Sequence, residues 1–239
     1  MSRLEGQTAV VTGATSGIGK AVSLALAGEG ARLVLLGRDQ ERLEEVARTA
    51  GKSSPGVDAL QSDLGNPSEV EGLAPQIEDI LGGVDILVFC AGVYTRGRID
   101  TAPLADLDTH LQVNLRAPAR LTRDLLPSLI SRQGQVVFMN SSVGPAPEVG
   151  FYSASKQALK AFTDTLRAEV NPAGVRVLSV YPGRTATPMQ ESIFAAEGRS
   201  YDPSRLLQPE DVAEMVLAAL CLPRTAEVTD LHIRPLQKT

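Results

Sequence analysis

Two side chains with acid–base chemistry stand four residues apart in the second half of the chain. Tyr152 and Lys156 open a stretch with helical spacing that continues to Glu169. A separation of four residues places the pair on one helix face, one turn apart. A free tyrosine has a pKa near ~10, and a neighbouring ammonium favours the ionised form. Lowering that pKa to about 7 needs about 4 kcal/mol, which close charges shielded from water can supply. Any exposed helix can carry this spacing, so the predicted role in proton transfer depends on the residues that accompany the pair.

Short apolar runs alternate with helical patterns, and these elements must position the pair. Most of the runs are apolar throughout, which is typical of a parallel sheet with helices on both faces. The predicted strands are residues 8–13, 32–37, 57–61 (at an edge), 86–92, 136–140, 175–181 and 228–233 (the last). The alternation predicts an α/β fold: a single-domain doubly wound (Rossmann-type) parallel sheet over residues 1–239, with ligands at the carboxyl ends of its strands.

Helical patterns fill the intervals between the strands. Ile18, Val22 and Leu26 recur every four residues, and Leu43, Val46 and Ala47 mark a second amphipathic face. The segment 104–130 carries regularly spaced leucines, and Pro118 is expected to bend it. Residues 183–208 are rich in Pro, Gly, Ser and Arg and are predicted to be an irregular loop that covers the substrate.

The first strand ends in a glycine-rich loop, Thr12-Gly13-Ala14-Thr15-Ser16-Gly17-Ile18-Gly19, which leads directly into a helix. Gly13 permits a tight turn, Gly17 lets the backbone approach a pyrophosphate, and Gly19 allows close packing of helix and strand. The N-terminus of the helix supplies free N–H groups and a favourable dipole. Strand-to-helix turns also use glycine for structural reasons alone, but the position at the first such turn of an α/β chain favours a nucleotide.

The second strand ends in Leu36-Gly37-Arg38. An NAD enzyme usually places an acid near this point for the ribose 2′-OH. Arg38 can instead pair with the additional phosphate of NADP, and the alternative is a solvated arginine at the start of a helix. NADP(H) is therefore the predicted cofactor.

The spacing Gly-x-x-x-Gly-x-Gly resembles that of the short-chain dehydrogenase/reductase family, and the later motifs follow in the family's order. Asn114, Ser141, Tyr152 and Lys156 match its catalytic set, and the family register selects Ser141 over Ser142, although the loop to Tyr152 is a little shorter than usual. The resemblance implies that the serine hydrogen-bonds the substrate oxygen, the asparagine holds a water connected to the lysine, and the lysine binds the nicotinamide ribose.

Three further motifs resemble the family's cofactor site. Asp63-Leu64 is similar to the pair that borders the adenine, and Cys90-Ala91-Gly92 to the Asn-Ala-Gly motif, with Cys90 as a departure. The segment 182–187 is similar to the Pro-Gly motif that holds the nicotinamide carboxamide and the pyrophosphate. The implied cofactor-binding residues are Gly13, Thr15, Ser16, Gly17, Ile18, Gly19, Arg38, Asp63, Leu64, Cys90, Ala91, Gly92, Tyr152, Lys156, Pro182, Gly183, Thr185 and Thr187.

Together these residues predict an NADP(H)-dependent oxidoreductase that interconverts a ketone or aldehyde and an alcohol. The alternative is an NADP-sensing protein on the same fold, which would tend to lose the tyrosine or the lysine. A hydrolase would need a Gly-x-Ser-x-Gly elbow, which the sequence lacks. A sugar-nucleotide epimerase would need a larger substrate domain. The identity of the substrate stays open.

Composition limits the partners and the compartment. The 239 residues carry a formal net charge of −5 and no run of Lys or Arg, which argues against binding to nucleic acid or an anionic membrane. Cys90, Cys221, His110 and His232 are isolated, so no metal site is predicted and a reducing compartment is expected. The sequence shows no signal peptide and no membrane span, so a cytoplasmic protein is expected. The family resemblance implies a homodimer or homotetramer.

Overall fold

The computed structural model describes residues 2–237, and within them seven strands form one parallel sheet in the order β3-β2-β1-β4-β5-β6-β7. The strands are β1 Thr8–Thr12, β2 Arg32–Gly37, β3 Val57–Gln61, β4 Ile86–Phe89, β5 Gln135–Met139, β6 Arg176–Pro182 and β7 Asp230–Ile233. The helices are α1 Gly17–Gly28, α2 Gln40–Ala50, α3 Pro67–Glu71, α4 Leu73–Leu81, α5 Leu104–Leu111, α6 Ala117–Ser131, α7 Gly150–Val170, α8 Pro188–Ala196 and α9 Pro209–Leu220. The strand order reverses between β1 and β4, which confirms the predicted doubly wound fold.

Two apolar layers, one on each face of the sheet, hold the helices in place. Side chains alternate along a strand, so neighbouring residues of β5 enter different layers. Val137 and Met139 pack in the layer that contains helices α1 and α9, whereas Val136 and Phe138 pack in the layer of α4, α6 and α7. Both faces of β5 are therefore buried, each in its own apolar layer.

The fourth strand is shorter than predicted. β4 ends at Phe89, because from Cys90 onwards the chain leaves the sheet. The backbone N–H of Ala91 donates to the Thr12 hydroxyl at 3.1 Å, which ties the residues after β4 to the end of β1. Cys90, Ala91 and Gly92 therefore form a loop across the carboxyl edge of the sheet and are not part of a strand.

The predicted bend at Pro118 takes a different form. A π-helical turn, Gln112–Arg116, separates α5 from α6, so the irregularity comes before Pro118. Proline has no N–H and cannot donate to the carbonyl of Asn114, four residues earlier. The N–H of Ala117 instead donates to the carbonyl of Gln112, five residues back. Turns of this kind are frequent at functional sites, and here the turn contains Asn114.

The prediction of irregular structure for residues 183–208 was wrong for its central part. Residues 188–196 form helix α8, and Pro203–Arg205 form a short 3₁₀ turn. The Thr187 hydroxyl caps α8 by accepting from the N–H of Gln190, and Pro188 occupies the first turn, where its missing N–H costs nothing. The segment thus begins with an ordinary helix start signal.

Candidate active site

The carboxyl ends of the central strands open into a cleft of about 1350 Å³. All of the residues predicted from the sequence to act in catalysis or cofactor binding line this cleft, except Gly19 and Asn114. The cleft extends from Arg38, beside the end of β2, to Tyr152 in the first turn of α7. A single cavity therefore joins the predicted nucleotide end to the predicted catalytic end.

The glycine loop is shaped for close approach of a ligand. Gly13 and Gly17 have φ values of +67° and +51°, which disfavour any residue with a side chain. A Cβ on Gly17 would lie 2.8 Å from Cγ2 of Thr187, so a side chain there would clash with Thr187. Ser16 precedes α1 without a side-chain cap, which leaves backbone N–H groups of the first turn for an anion. Thr15, Ser16 and Ile18 complete this wall of the cleft.

Gly19 acts through packing and does not line the cleft. A Cβ on Gly19 would lie 2.2 Å from the carbonyl oxygen of Gly13 and 2.7 Å from its carbon, both backbone atoms. We expect Gly19→Ala to destabilise the protein by about 1–3 kcal/mol and to weaken cofactor binding, because α1 must move away from the loop. Gly28→Ala in the same helix is the matched control. A Cβ on Gly28 meets no atom within 4 Å. We therefore expect Gly28→Ala to raise the free energy of unfolding by at most about 1 kcal/mol. Urea unfolding measures both, and equal effects would show that Gly19 is not a packing position.

Two arginines and two carboxylates, Arg38, Arg42, Asp39 and Asp63, line the nucleotide end, and Arg42 pairs with Asp39 at 3.3 Å. Arg38 is exposed at the mouth of the cleft, and Arg42 in α2 lines the same end. Gly37 allows β2 to end close to the glycine loop, since a Cβ there would lie 2.5 Å from Cγ2 of Thr15. Asp39, the carboxylate nearest in sequence, accepts from the N–H of Arg42 as the cap of α2.

Two predicted motifs border the middle of the cleft. Asp63 accepts from the N–H of Gly65 at 2.9 Å, and Leu64 beside it is buried. Cys90 lies near Lys156. Burial raises the pKa of the Cys90 thiol to about 12, although the Lys156 ammonium opposes this rise. Cys90 therefore stays a neutral thiol and offers no nucleophile.

Tyr152 and Lys156 both lie in the cleft wall formed by α7, as the four-residue spacing predicts. The ammonium nitrogen of Lys156 lies 6.0 Å from the Tyr152 ring centroid and donates to the carbonyl of Met139 at 2.7 Å. Burial raises the pKa of Tyr152, hydrogen bonding from Ser141 opposes this rise, and Tyr94 adds to it. The expectation that Lys156 lowers this pKa is thus not met in the chain by itself, because burial raises the pKa of Tyr152 and Lys156 is not among the groups that shift it. Burial also lowers the pKa of Lys156 to about 8.

The two adjacent serines after β5 have different surroundings. The Ser141 hydroxyl accepts from the N–H of Val143 at 3.1 Å, and hydrogen bonding from Ser141 opposes the rise in the pKa of Tyr152. Ser142 is exposed and donates to the carbonyl of Pro182 at 3.1 Å. The structure therefore brings Ser141 to Tyr152 and uses Ser142 to tie β5 to β6.

Asn114 lies behind the cleft, 1 % exposed, in the π-helical turn. Its Oδ1 accepts from the N–H of Val93 at 2.9 Å, and its Nδ2 donates to the carbonyl of Val93 and the Ser155 hydroxyl. A Cβ on Gly92 would lie 3.3 Å from Asn114 Oδ1 and 3.8 Å from Lys156 Nζ. Asn114 is therefore close to Lys156, with Gly92 between them.

One side of the cleft was not predicted from the sequence. Tyr94 and Arg96 follow Gly92, and Arg184 and Glu197 flank α8. Glu197 accepts from Arg184 at 2.8 Å and lies 3.8 Å from Arg96. An aromatic residue and a charge directly after a predicted strand end were the available signal, since the carboxyl ends of parallel strands converge.

The described residues 2–237 contain no group of three or more His, Cys, Asp or Glu side chains that could hold a metal ion. Over the same residues, no helix is both long enough and apolar enough to cross a membrane.

Comparison with known proteins agrees with this geometry. The sequence pattern of the short chain dehydrogenase family matches residues 7–198. An uncharacterized short-chain type dehydrogenase/reductase from Sinorhizobium fredii is 36% identical over 98% of this chain and 93% of its own length. An alcohol dehydrogenase from Thermococcus sibiricus, solved with 5-hydroxy-NADP, superposes with a TM-score of 0.87 at 28% identity over 98% of both chains. The L-sorbose reductase from Gluconobacter frateurii, solved with NADPH and L-sorbose, gives a TM-score of 0.86 at 28% identity over 98% of this chain and 97% of that one.

The fold and the cleft are thus those of a nucleotide-binding oxidoreductase. The chain belongs to the short-chain dehydrogenase/reductase family.

Proposed function

We propose that this protein binds NADP(H) and reduces a ketone or aldehyde to the alcohol, and that it catalyses the reverse reaction. The observation that carries the proposal is the convergence of Tyr152, Ser141 and Lys156 in a cleft that extends to Arg38. The 5-hydroxy-NADP and the NADPH bound to two of the similar solved structures support NADP(H) as the cofactor here.

The residues present fit a dinucleotide along the cleft. The uncapped start of α1 and the glycine loop would hold the pyrophosphate, and Arg38 the phosphate on the adenosine ribose. Asp63 and Leu64 would border the adenine. Lys156 would hold the nicotinamide ribose, and the segment 182–187 the nicotinamide end. When bound, NADPH supplies the hydride for the carbonyl carbon.

The protein's own residues handle the oxygen and the proton. Ser141 donates a hydrogen bond to the carbonyl oxygen, and Tyr152 transfers its phenolic proton to that oxygen. Because burial keeps the pKa of Tyr152 high, its hydroxyl is protonated at neutral pH, as reduction requires. The pKa of about 8 leaves Lys156 mostly charged at pH 7, which stabilises the tyrosinate that proton transfer leaves behind. Asn114, close to Lys156, would hold a water that connects to this lysine.

A screen of ketones and aldehydes, followed by the loss of NADPH absorbance, tests the reaction. We expect at least one carbonyl compound to be reduced, and the corresponding alcohol to be oxidised with NADP⁺. Binding of NADPH without turnover of any compound would overturn the proposal and favour the cofactor-sensing alternative.

The choice of cofactor depends on Arg38. We expect the protein to bind NADPH over tenfold more tightly than NADH, a difference of at least about 1.4 kcal/mol, and Arg38→Asp to reverse the order. Arg48→Asp is the matched control, because it makes the same charge change on α2 at an exposed position that does not line the cleft. Titration of each variant with both cofactors measures the affinities. Equal affinities in the unchanged protein would show that Arg38 is only a solvated residue.

A further inference from the structure

The segment after β4 is clamped to the helix that carries Asn114. The N–H and the carbonyl of Val93 both bond to the Asn114 side chain, at 2.9 and 3.1 Å. Two residues later, the N–H of Thr95 donates to Nε2 of His110 at 3.0 Å. Tyr94 stands between these two anchored residues, so its backbone is held from both sides.

His110 is suited to be the second anchor and has no other evident role. Its side chain is 0 % exposed in the last turn of α5, and it does not line the cleft. An imidazole accepts a hydrogen bond at Nε2 only in its neutral form, with the hydrogen on Nδ1. Burial lowers the pKa of His110, which favours that neutral form. The ring also packs against Tyr152, with 6.0 Å between the centroids.

The side chain of Tyr94 faces Tyr152. The Tyr94 ring meets the Tyr152 ring edge-on, with 4.9 Å between centroids and 71° between planes. Tyr94 also lines the cleft. Two residues after Tyr94, Arg96 pairs with Glu148 at 2.6 Å. The Tyr94 ring thus contacts the catalytic tyrosine and lies near the charges of Arg96 and Glu148.

We propose that Tyr94 determines substrate specificity by limiting the group that fits beside Tyr152, and that His110 is a positioning residue that fixes Tyr94 through the N–H of Thr95. A fixed ring in edge contact with Tyr152 leaves little room on that side of the carbonyl. The substrates are therefore carbonyl compounds with at least one compact substituent, such as methyl ketones. This inference rests on the proposed carbonyl reduction.

Acetophenone and benzophenone test Tyr94, because they differ only in a methyl group against a second phenyl group. We expect kcat/KM with NADPH to favour acetophenone by about 100-fold, and Tyr94→Ala to reduce that ratio at least tenfold. Tyr94→Phe keeps the ring and should keep the ratio. The same comparison applies to any other methyl ketone that is reduced and its phenyl analogue. An unchanged ratio in Tyr94→Ala would overturn the inference and leave the carbonyl reduction standing.

Two substitutions separate a positioning role of His110 from simple filling of space. His110→Leu removes the acceptor, whereas His110→Gln retains an oxygen that can accept from Thr95. We expect His110→Leu to lower kcat/KM for acetophenone about tenfold and to reduce the ratio, with the Kd for NADPH unchanged. His110→Gln should retain most of the kcat/KM for acetophenone and most of the preference for acetophenone over benzophenone.

Hydrogen exchange in the protein without cofactor gives a readout that needs no activity. The amide of Thr95 should exchange at least about tenfold faster in His110→Leu than in His110→Gln or the unchanged protein. Equal exchange and equal ratios in the two variants would overturn the positioning role. If the amide of Thr95 exchanges as expected but no carbonyl compound is reduced, the proposed function is overturned. The positioning of Thr95 by His110 would still stand.

Discussion

Tyr152→Phe is expected to lower turnover by at least ~100-fold, the usual scale for loss of a general acid, while NADPH still binds. The substitution removes one oxygen and keeps the ring, so the contacts with Tyr94 and His110 remain. What is lost is the proton that burial holds on the phenol at neutral pH. Steady-state rates with a reduced carbonyl compound, together with the Kd for NADPH, measure the two effects separately.

A matched control for this variant is Tyr181→Phe, which removes the same atom from a buried tyrosine outside the cleft. The Tyr181 hydroxyl is buried and has no hydrogen-bond partner among residues 2–237, and its ring stacks on His232. We therefore expect Tyr181→Phe to leave turnover and stability nearly unchanged. Carbonyl reduction at near full rate in Tyr152→Phe would show that the catalytic assignment is wrong.

Ser141→Ala is expected to lower kcat by about 100-fold with little change in NADPH affinity, whereas Ser142→Ala should cost less than about tenfold. Ser141 lines the cleft together with Tyr152. Negative charge develops on the substrate oxygen, so a hydrogen bond from Ser141 to that oxygen is stronger in the transition state than in the ground state. The Ser142 hydroxyl is committed to the carbonyl of Pro182, away from Tyr152.

The two serines serve as controls for each other, since they are adjacent and lose the same atom. Single-turnover reduction of one carbonyl compound by each variant gives the comparison. A larger loss in Ser142→Ala would mean that the short loop before Tyr152 shifts the serine register by one residue. Small and equal losses would leave Tyr152 as the only protein group that acts on the oxygen.

Local patterns predicted much of the architecture. The apolar runs located the strands, because a strand covered by helices on both faces excludes polar side chains along its length. The bounds of β2 and β3 agree with the prediction, whereas β4 was predicted three residues too long. Cys90, Ala91 and Gly92 are small and apolar, like strand residues, yet they cross the end of the sheet. Helix α8 was missed although Thr187-Pro188 is a helix start signal, because the richness in Pro, Gly and Ser across residues 183–208 outweighed it.

The sequence by itself determined the set of chemical groups and their order: the glycine loop, Arg38, and the tyrosine and lysine four residues apart. These are local features, and helix geometry and backbone sterics follow from a few neighbouring residues. Only the tertiary structure decided that Ser141 meets Tyr152, that Tyr94 and His110 pack against them, and that the pKa of Tyr152 is raised. Segments distant in the chain meet only when the carboxyl ends of the strands converge, and desolvation depends on everything packed around a group.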